Sequence, residues 1–265
     1  MKSNSGILGL RKLVLISLCL IIIMAGIALP SRGANAQDQE PEFTSQFYLE
    51  DCNGFRAKGT NPYFILQPGY QLVLEGEDEG EPASIEITVT REIKTVTLPE
   101  IGEIRTRVVE ERHTVNGELV EVSRNFFAIC KRTNDVYYFG EEVDIFEEDG
   151  TVTHEGAWEA GQPDEDGLAE PGLIMPGTFL LGSRYFQEIA DEIALDRAEH
   201  TAMGLEITVP AGTFTDCVEV TETTPLEPGV VSLKYYCRDV GLVIDDELQL
   251  ISYGFINDND DDDDE

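Results

Sequence analysis

The chain has 265 residues and carries 52 Asp and Glu against 18 Lys and Arg, which gives a formal net charge of −34 at pH 7. A surface this negative repels phosphate groups, so the composition argues against a nucleic-acid partner and against binding to an anionic membrane surface. Halophilic adaptation explains such a charge, and specific binding of divalent cations is the alternative explanation.

The N-terminal residues 1–36 have the features of a signal peptide. Lys2, Arg11 and Lys12 precede an apolar or small run at residues 13–29, and Ala-Asn-Ala follows as a cleavage site of the small-x-small form. We therefore expect a secreted protein that is periplasmic or extracellular. An uncleaved N-terminal membrane anchor with the body facing outward is the alternative.

The remainder is predicted to be one β-rich domain. Residues 37–44 are polar and are predicted to be a flexible segment, and residues 45–255 form the domain. A strand with one buried face is indicated where Ile85, Ile87 and Val89 alternate with polar residues. The predicted fold class is therefore all-β, mostly antiparallel, with a twisted or half-barrel-like sheet.

Two hairpins are predicted from their turns. Asn-Gly at 116–117 is the favoured pair for a type I′ turn, and Asp-Gly at 149–150 marks a second hairpin. If the strands continue without interruption from the first turn, Arg112 faces Glu121 as an opposite-charge pair.

Four cysteines remain after the signal segment, and an even number in an exported chain favours disulfides. A Pro-Leu-Glu-Pro-Gly turn sets two strands in a register that places Cys217 opposite Cys237, within reach of a disulfide. Cys52 then pairs with Cys130, mainly by elimination. A zinc site is the competing interpretation, but no Cys-x-x-Cys occurs in the chain.

Two further segments differ from the strands. Apolar side chains recur at helical spacing across residues 184–202, so the local pattern predicts one amphipathic helix. Residues 256–265 are almost entirely acidic, and we expect a disordered tail because like charges cannot pack against one another.

Several motifs together resemble a group of secreted bacterial proteins of uncharacterised function. They are N-P-Y-F-I-L-Q-P-G at 61–69, G-A-W-E-A-G at 156–161, V-P-A-G-T-F at 209–214 and P-L-E-P-G-V-V at 225–231, followed by K-Y-Y and V-G-L-V. The chain is also loosely similar to extracytoplasmic proteins with a half-barrel sheet. The resemblance implies that residues 184–202 are extended, against the local helical pattern, and it transfers no catalytic residue.

Candidate sites are few, and no catalytic constellation is recognisable. Trp158 beside Glu159 combines an aromatic platform with an acid and is the candidate ligand site. Two acidic turns offer oxygen ligands for weak binding of Ca²⁺ or another divalent cation, but without the spacing of a dedicated calcium loop. The candidate metal residues are Glu147, Asp149, Asp164 and Asp166. No nucleotide-binding motif occurs, so no cofactor is predicted.

The three histidines, His113, His154 and His200, are interpreted as surface residues rather than as bases or metal ligands. The function predicted from the sequence is an exported, non-enzymatic protein that binds a small ligand or a protein partner and has an acidic, salt-adapted surface. A carboxylate-based hydrolase acting near Trp158 and a cation-binding or structural surface protein are the alternatives.

Overall fold

A computed structural model describes residues 41–147, 149–165 and 167–256 of the protein. The predicted signal peptide, the first half of the predicted flexible segment and nearly all of the predicted acidic tail lie outside the described residues. Within the described part of the chain, no helix is long and apolar enough to cross a membrane.

Eighteen strands and one 3₁₀ turn at Leu49–Cys52 make up the described structure. The first nine strands are β1 Phe55–Arg56, β2 Gly59–Asn61, β3 Phe64–Leu66, β4 Tyr70–Asp78, β5 Glu81–Leu98, β6 Gly102–Val115, β7 Glu118–Cys130, β8 Val136–Phe146 and β9 Val152–Thr153. The others are β10 Trp158–Glu159, β11 Glu170–Met175, β12 Arg184–Phe186, β13 Glu188–Ile189, β14 Arg197–Val209, β15 Gly212–Thr223, β16 Ser232–Cys237, β17 Gly241–Asp245 and β18 Leu248–Phe255.

The strands form one large antiparallel sheet, which confirms the predicted all-β fold class. Its order is β12-β14-β15-β16-β17-β18-β4-β5-β6-β7-β8-β11-β13, with short strands β1, β9 and β10 added beside β7 and β8, while β2 and β3 pair separately. Most neighbours in this order are also consecutive in the chain, because tight turns join antiparallel strands directly.

The two edge strands of the sheet, β12 and β13, follow each other directly in the chain, so the sheet is a nearly closed barrel. β12 pairs with β14 at one end and β13 pairs with β11 at the other, and only Gln187 separates β12 from β13. Closing a sheet in this way leaves few unpaired strand edges exposed. The predicted helix at 184–202 is therefore wrong: this segment is extended because strands on either side supply its backbone hydrogen bonds.

The Asn-Gly hairpin is confirmed, but the predicted charge pair next to it is wrong. Asn116 and Gly117 both have positive φ, at 54° and 81°, as a type I′ turn requires. A β-bulge between His113 and Thr114 shifts the register by one residue. Arg112 consequently faces Val122, and Glu121 faces His113.

Both predicted disulfides are present. Cys217 and Cys237 are directly opposed on β15 and β16, with their Cα atoms 4.0 Å apart. The Cα atoms of Cys52 and Cys130 are 4.9 Å apart, and this bond ties the N-terminal segment to the end of β7. Two disulfides fit an oxidising compartment.

The core is a contiguous cluster of buried apolar side chains contributed by nearly all of the long strands. Fully buried members include Leu74 of β4, Ile85 of β5, Phe139 of β8 and Leu250 of β18. Their burial fixes which face of each strand turns inward, because side chains alternate between the two faces of a sheet.

Candidate functional site

One cavity, which we call the main cavity because residues from most of the long strands line it, lies on the inner, concave side of the sheet and has a volume of about 280 Å³. Strands from both halves of the sheet line it, namely β4 to β8 on one side and β15 to β17 on the other. Its apolar wall includes Tyr70, Leu72, Ile87, Val89, Phe127 and Leu242.

The lining of the cavity is also acidic. Carboxyl side chains from six different strands reach it, and they are Glu111, Glu121, Glu141, Glu188, Glu222 and Asp245. Among the described residues that line the cavity, Lys234 of β16 is the only Lys or Arg. The cavity therefore has an apolar wall and an excess of potential negative charge.

Four side chains form a continuous chain of polar contacts along this wall. Gln187 Nε2 donates to Glu222 Oε1 at 2.7 Å. Lys234 Nζ lies 3.7 Å from Glu222 Oε2 and donates to Asp245 Oδ2 at 2.9 Å. We call this set, Gln187, Glu222, Lys234 and Asp245, the polar cluster.

Two oxygen atoms of the polar cluster are buried without a hydrogen bond. Asp245 and Gln187 are each only 3% exposed. Asp245 Oδ1 and Gln187 Oε1 have no hydrogen-bond partner within the described part of the protein. Buried polar atoms are nearly always hydrogen-bonded, so two free acceptors in the wall of one cavity call for an explanation.

Burial raises the pKa of most of the cavity carboxyls. The pKa values of Glu111, Glu121 and Glu222 rise to about 7, and that of Glu141 rises to about 8. For Glu222, the ammonium group of Lys234 partly offsets this effect. These four glutamates consequently change charge near neutral pH rather than near pH 4.5.

The basic member of the polar cluster behaves differently. Burial alone lowers the pKa of Lys234, but the carboxylates of Asp245 and Glu222 outweigh it and hold this pKa well above its ordinary value. Lys234 is therefore charged at every physiological pH and is already engaged with its two acidic neighbours.

A second group of hydrogen bonds orders the floor between β7 and β8. The hydroxyl of Tyr138 donates to Asn125 Oδ1, and Asn125 Nδ2 donates to Ser123 Oγ at 3.2 Å. All three side chains are buried and line the cavity. Because the donors of Tyr138 and Asn125 are satisfied within this group and by Val109 O, these side chains fix the shape of the floor.

The predicted ligand residues Trp158 and Glu159 lie outside the main cavity. Trp158 is buried and packs edge-on against Tyr138, with ring centroids 5.4 Å apart. Glu159 Oε2 lies 3.1 Å from Lys94 Nζ. Both residues line a second cavity of about 290 Å³, and Glu141 lines both cavities.

The candidate metal residues occupy two separate turns. Asp149 Oδ1 accepts hydrogen bonds from the backbone and hydroxyl of Thr151. Asp164 accepts from the backbone N–H groups of Gly167 and Asp191. Glu147 is exposed, and Asp166 lies outside the described residues. Across the described ranges, no three His, Cys, Asp or Glu side chains are grouped so that they could hold a metal ion.

Two of the three histidines are buried, so their interpretation as surface residues is wrong. His200 stacks on Phe179 with centroids 3.6 Å apart, and its Nε2 is 2.8 Å from the hydroxyl of Tyr185. Burial lowers the pKa of His200 to about 4, so this side chain is neutral. His113 is also buried, with Nε2 3.6 Å from Asp78 Oδ2, whereas His154 is exposed.

The acidic side of the cavity was not found from the sequence, although a faint signal exists. On β15 the buried row Val218 and Val220 is continued by Glu222, and on β17 Val243 is followed two residues later by Asp245. An acid that continues a row of inward-facing apolar residues marks a lumen-facing charge. With 52 acids in the chain, composition alone could not distinguish these positions.

No protein-family model matches the chain, and neither a curated protein nor a solved structure matches it.

Proposed function

We propose that the protein is an exported binding protein that holds a small ligand in the main cavity. The observation that carries this proposal is the combination of an apolar wall with buried polar atoms that lack partners, on the concave side of a nearly closed sheet. Ligand sites generally are concave, largely apolar and supplied with a few oriented polar groups.

The size of the cavity supports a small organic ligand. One water molecule needs roughly 10–15 Å³ of such space, so a cavity of about 280 Å³ has room for a molecule much larger than water. The wall is also held in place, because the Cys217–Cys237 disulfide joins two of the lining strands. A preformed site of this kind lowers the entropic cost of binding.

Export is supported by the disulfides and by the signal-like residues 1–36. The resemblance to secreted proteins points in the same direction. The excess of acids over lysines fits a surface adapted to salt.

Filling the cavity tests the proposal. Ile87 lines the cavity, so Ile87→Trp should displace a neutral fluorescent apolar probe, N-phenyl-1-naphthylamine, and weaken its binding at least tenfold. Val152 is exposed on β9 away from the cavity, so Val152→Trp is the matched control and should bind the probe as the parent does. Equal binding by both variants, with both folded by circular dichroism, would refute a ligand site in this cavity.

A carboxylate-based hydrolase is the second candidate function. The observation in its favour is Glu141, which lies between the two cavities and has a pKa of about 8, as a general acid at neutral pH requires. Nitrophenyl glycosides provide the assay. Glu141→Gln and Glu159→Gln should each abolish turnover without unfolding the protein, and unchanged turnover rejects the assignment.

A further inference from the structure

We propose that the ligand is a protonated organic amine whose ammonium group binds at the polar cluster while its apolar body packs against the apolar side chains of the same cavity. This inference rests on the proposed function, because it names the chemical class that the same cavity takes. The observation that carries it is that Asp245 and Gln187, two buried side chains that each have an unpaired oxygen, line the same cavity as a set of aliphatic and aromatic side chains.

The unpaired atoms of the polar cluster are acceptors, and each of its two donor nitrogens already has an acceptor. Gln187 Nε2 binds Glu222, and Lys234 Nζ binds Asp245, which leaves Gln187 Oε1 and Asp245 Oδ1 for a ligand. A neutral sugar would bring as many acceptors as donors, and its acceptors would find few free donors at this wall. An ammonium group brings three donors and no acceptor.

The negative charge of the cavity lining also favours a cationic ligand. Glu111, Glu121, Glu141 and Glu188 face the same space as the polar cluster, and Lys234 is the only Lys or Arg among the described lining residues. An anionic ligand such as a fatty acid would be repelled by these carboxylates in a partly water-excluded site. This repulsion would weaken its binding several-fold or more. A cation instead compensates charges that the protein itself leaves unbalanced.

The apolar wall distinguishes an organic amine from a bare inorganic cation. Leu72, Ile87, Val89 and Phe127 offer no oxygen ligand, and no group of three metal-binding side chains occurs in the described residues. Calcium requires six to eight oxygen ligands at short range. The aliphatic side chains instead match a hydrocarbon body of the ligand, whose burial adds about 0.8 kcal/mol for each CH₂ group, or roughly fourfold in affinity.

Three probes of equal chain length separate charge from apolar burial: n-octylamine, 1-octanol and octanoate, each titrated calorimetrically into the purified protein at pH 8.5. Octylamine should bind at least tenfold more tightly than octanol, because a hydrogen bond to a charged group is worth roughly tenfold or more. Octanoate should bind most weakly. Equal affinities for the amine and the alcohol would overturn the inference.

Two substitutions locate the ammonium group. Asp245→Asn keeps an oxygen for Lys234 and should weaken octylamine about tenfold while leaving octanol unchanged. Glu111→Gln removes a cavity charge, breaks no hydrogen bond within the described structure, and should weaken octylamine several-fold even if Asp245→Asn fails to fold. Glu247→Gln removes an exposed charge two residues from Asp245 and is the matched control. Equal losses in Glu111→Gln and Glu247→Gln would mean that only the overall charge matters, which refutes the site.

The result for the neutral probe N-phenyl-1-naphthylamine separates the two proposals. If octylamine does not bind while this probe does, and Ile87→Trp blocks the probe, the cavity remains a ligand site and only the amine inference fails. If neither compound binds, both proposals fail.

Discussion

Lys234 and Asp245 face each other across β16 and β17, and Lys234 Nζ lies 2.9 Å from Asp245 Oδ2 in the wall of the main cavity. Asp245 is almost fully buried, and Lys234 also approaches Glu222. Removing Lys234, the only Lys or Arg among the described residues that line the cavity, would leave the carboxyls of Glu222 and Asp245 without a compensating cation. This pair therefore links the stability of the barrel to the chemistry of its cavity.

The first prediction concerns that cation. Lys234→Met should destabilise the protein by about 3 kcal/mol, because breaking a buried ion pair leaves an uncompensated charge. The loss should be larger at pH 8.5 than at pH 5.5, where Glu222 is protonated. Urea unfolding at both pH values measures it. Lys58 is exposed, so Lys58→Met should change the free energy of unfolding by less than about 0.5 kcal/mol. Equal effects of the two substitutions would show that the ion pair does not stabilise the fold.

The second prediction concerns pH. Glu111, Glu121, Glu141 and Glu222 have folded-state pKa values of about 7 to 8 against 4.5 ordinarily, so the folded protein binds more protons than the unfolded chain between these values. Their contribution to stability is full below pH 4.5 and is lost as the pH rises through 7 to 8. Urea midpoints should therefore fall from pH 5 to pH 8.5.

A single substitution isolates the contribution of the cavity from that of the surface charge. Burial alone raises the pKa of Glu121, so Glu121→Gln should stabilise the protein at pH 8.5 by about 1–3 kcal/mol and have little effect at pH 5. Glu100 is exposed, and Glu100→Gln should give a smaller change at pH 8.5. If both variants follow the same pH profile, surface repulsion rather than cavity burial sets the pH dependence.

The third prediction ranks the disulfides. The Cys52–Cys130 bond spans 78 residues and the Cys217–Cys237 bond spans 20. The chain-entropy description assigns about 4.5 kcal/mol to the longer loop and about 3 kcal/mol to the shorter one. Paired Cys→Ser variants, unfolded in urea without reductant, should follow this order. A larger loss from the 217–237 pair would show that local geometry outweighs loop length.

The fourth prediction concerns closure of the barrel. A Cβ atom added to Gly172 of β11 would overlap the backbone carbonyl of Gln187. Gly172→Ala should therefore displace Gln187, loosen the β11–β13 pairing and destabilise the protein by about 2 kcal/mol or more. Amide hydrogen exchange at 188–189 should accelerate. A Cβ at Gly167 meets open space, so Gly167→Ala is the control and should leave exchange at these residues unchanged.

Local features were predictable from the sequence because their causes are local. The Asn-Gly pair requires positive φ at two successive residues, and a tight turn then fixes which strands are neighbours. The Pro-Leu-Glu-Pro-Gly turn placed Cys217 opposite Cys237 because no bulge interrupts the β15–β16 register. Ile85 and Val89 were correctly identified as buried because the alternation of inward and outward side chains is also a local property of a strand.

The predicted pairing of Arg112 with Glu121 failed because one bulge at His113 changes the register by a residue. Shifting a strand by one residue changes every partner beyond that point. The sequence holds no local signal for this bulge, since no Gly or Pro marks it.

What the sequence determined by itself is the β-rich character of the domain, its hairpins and the Cys217–Cys237 disulfide, which follow from turns and period-2 alternation, and then the Cys52–Cys130 disulfide by elimination. Only the tertiary structure decided that residues 184–202 are extended, because β13 pairs with β11 and β14 pairs with β15, both outside the segment, while β12 pairs with the start of β14. It also decided which few acids line the cavity, since Glu111 of β6 shares a cavity with Glu222 and Asp245 of β15 and β17 only when the sheet curves back on itself. The distance between two residues on non-neighbouring strands of a curved sheet depends on the pairing register of every strand between them. No single segment of the chain specifies all of these registers.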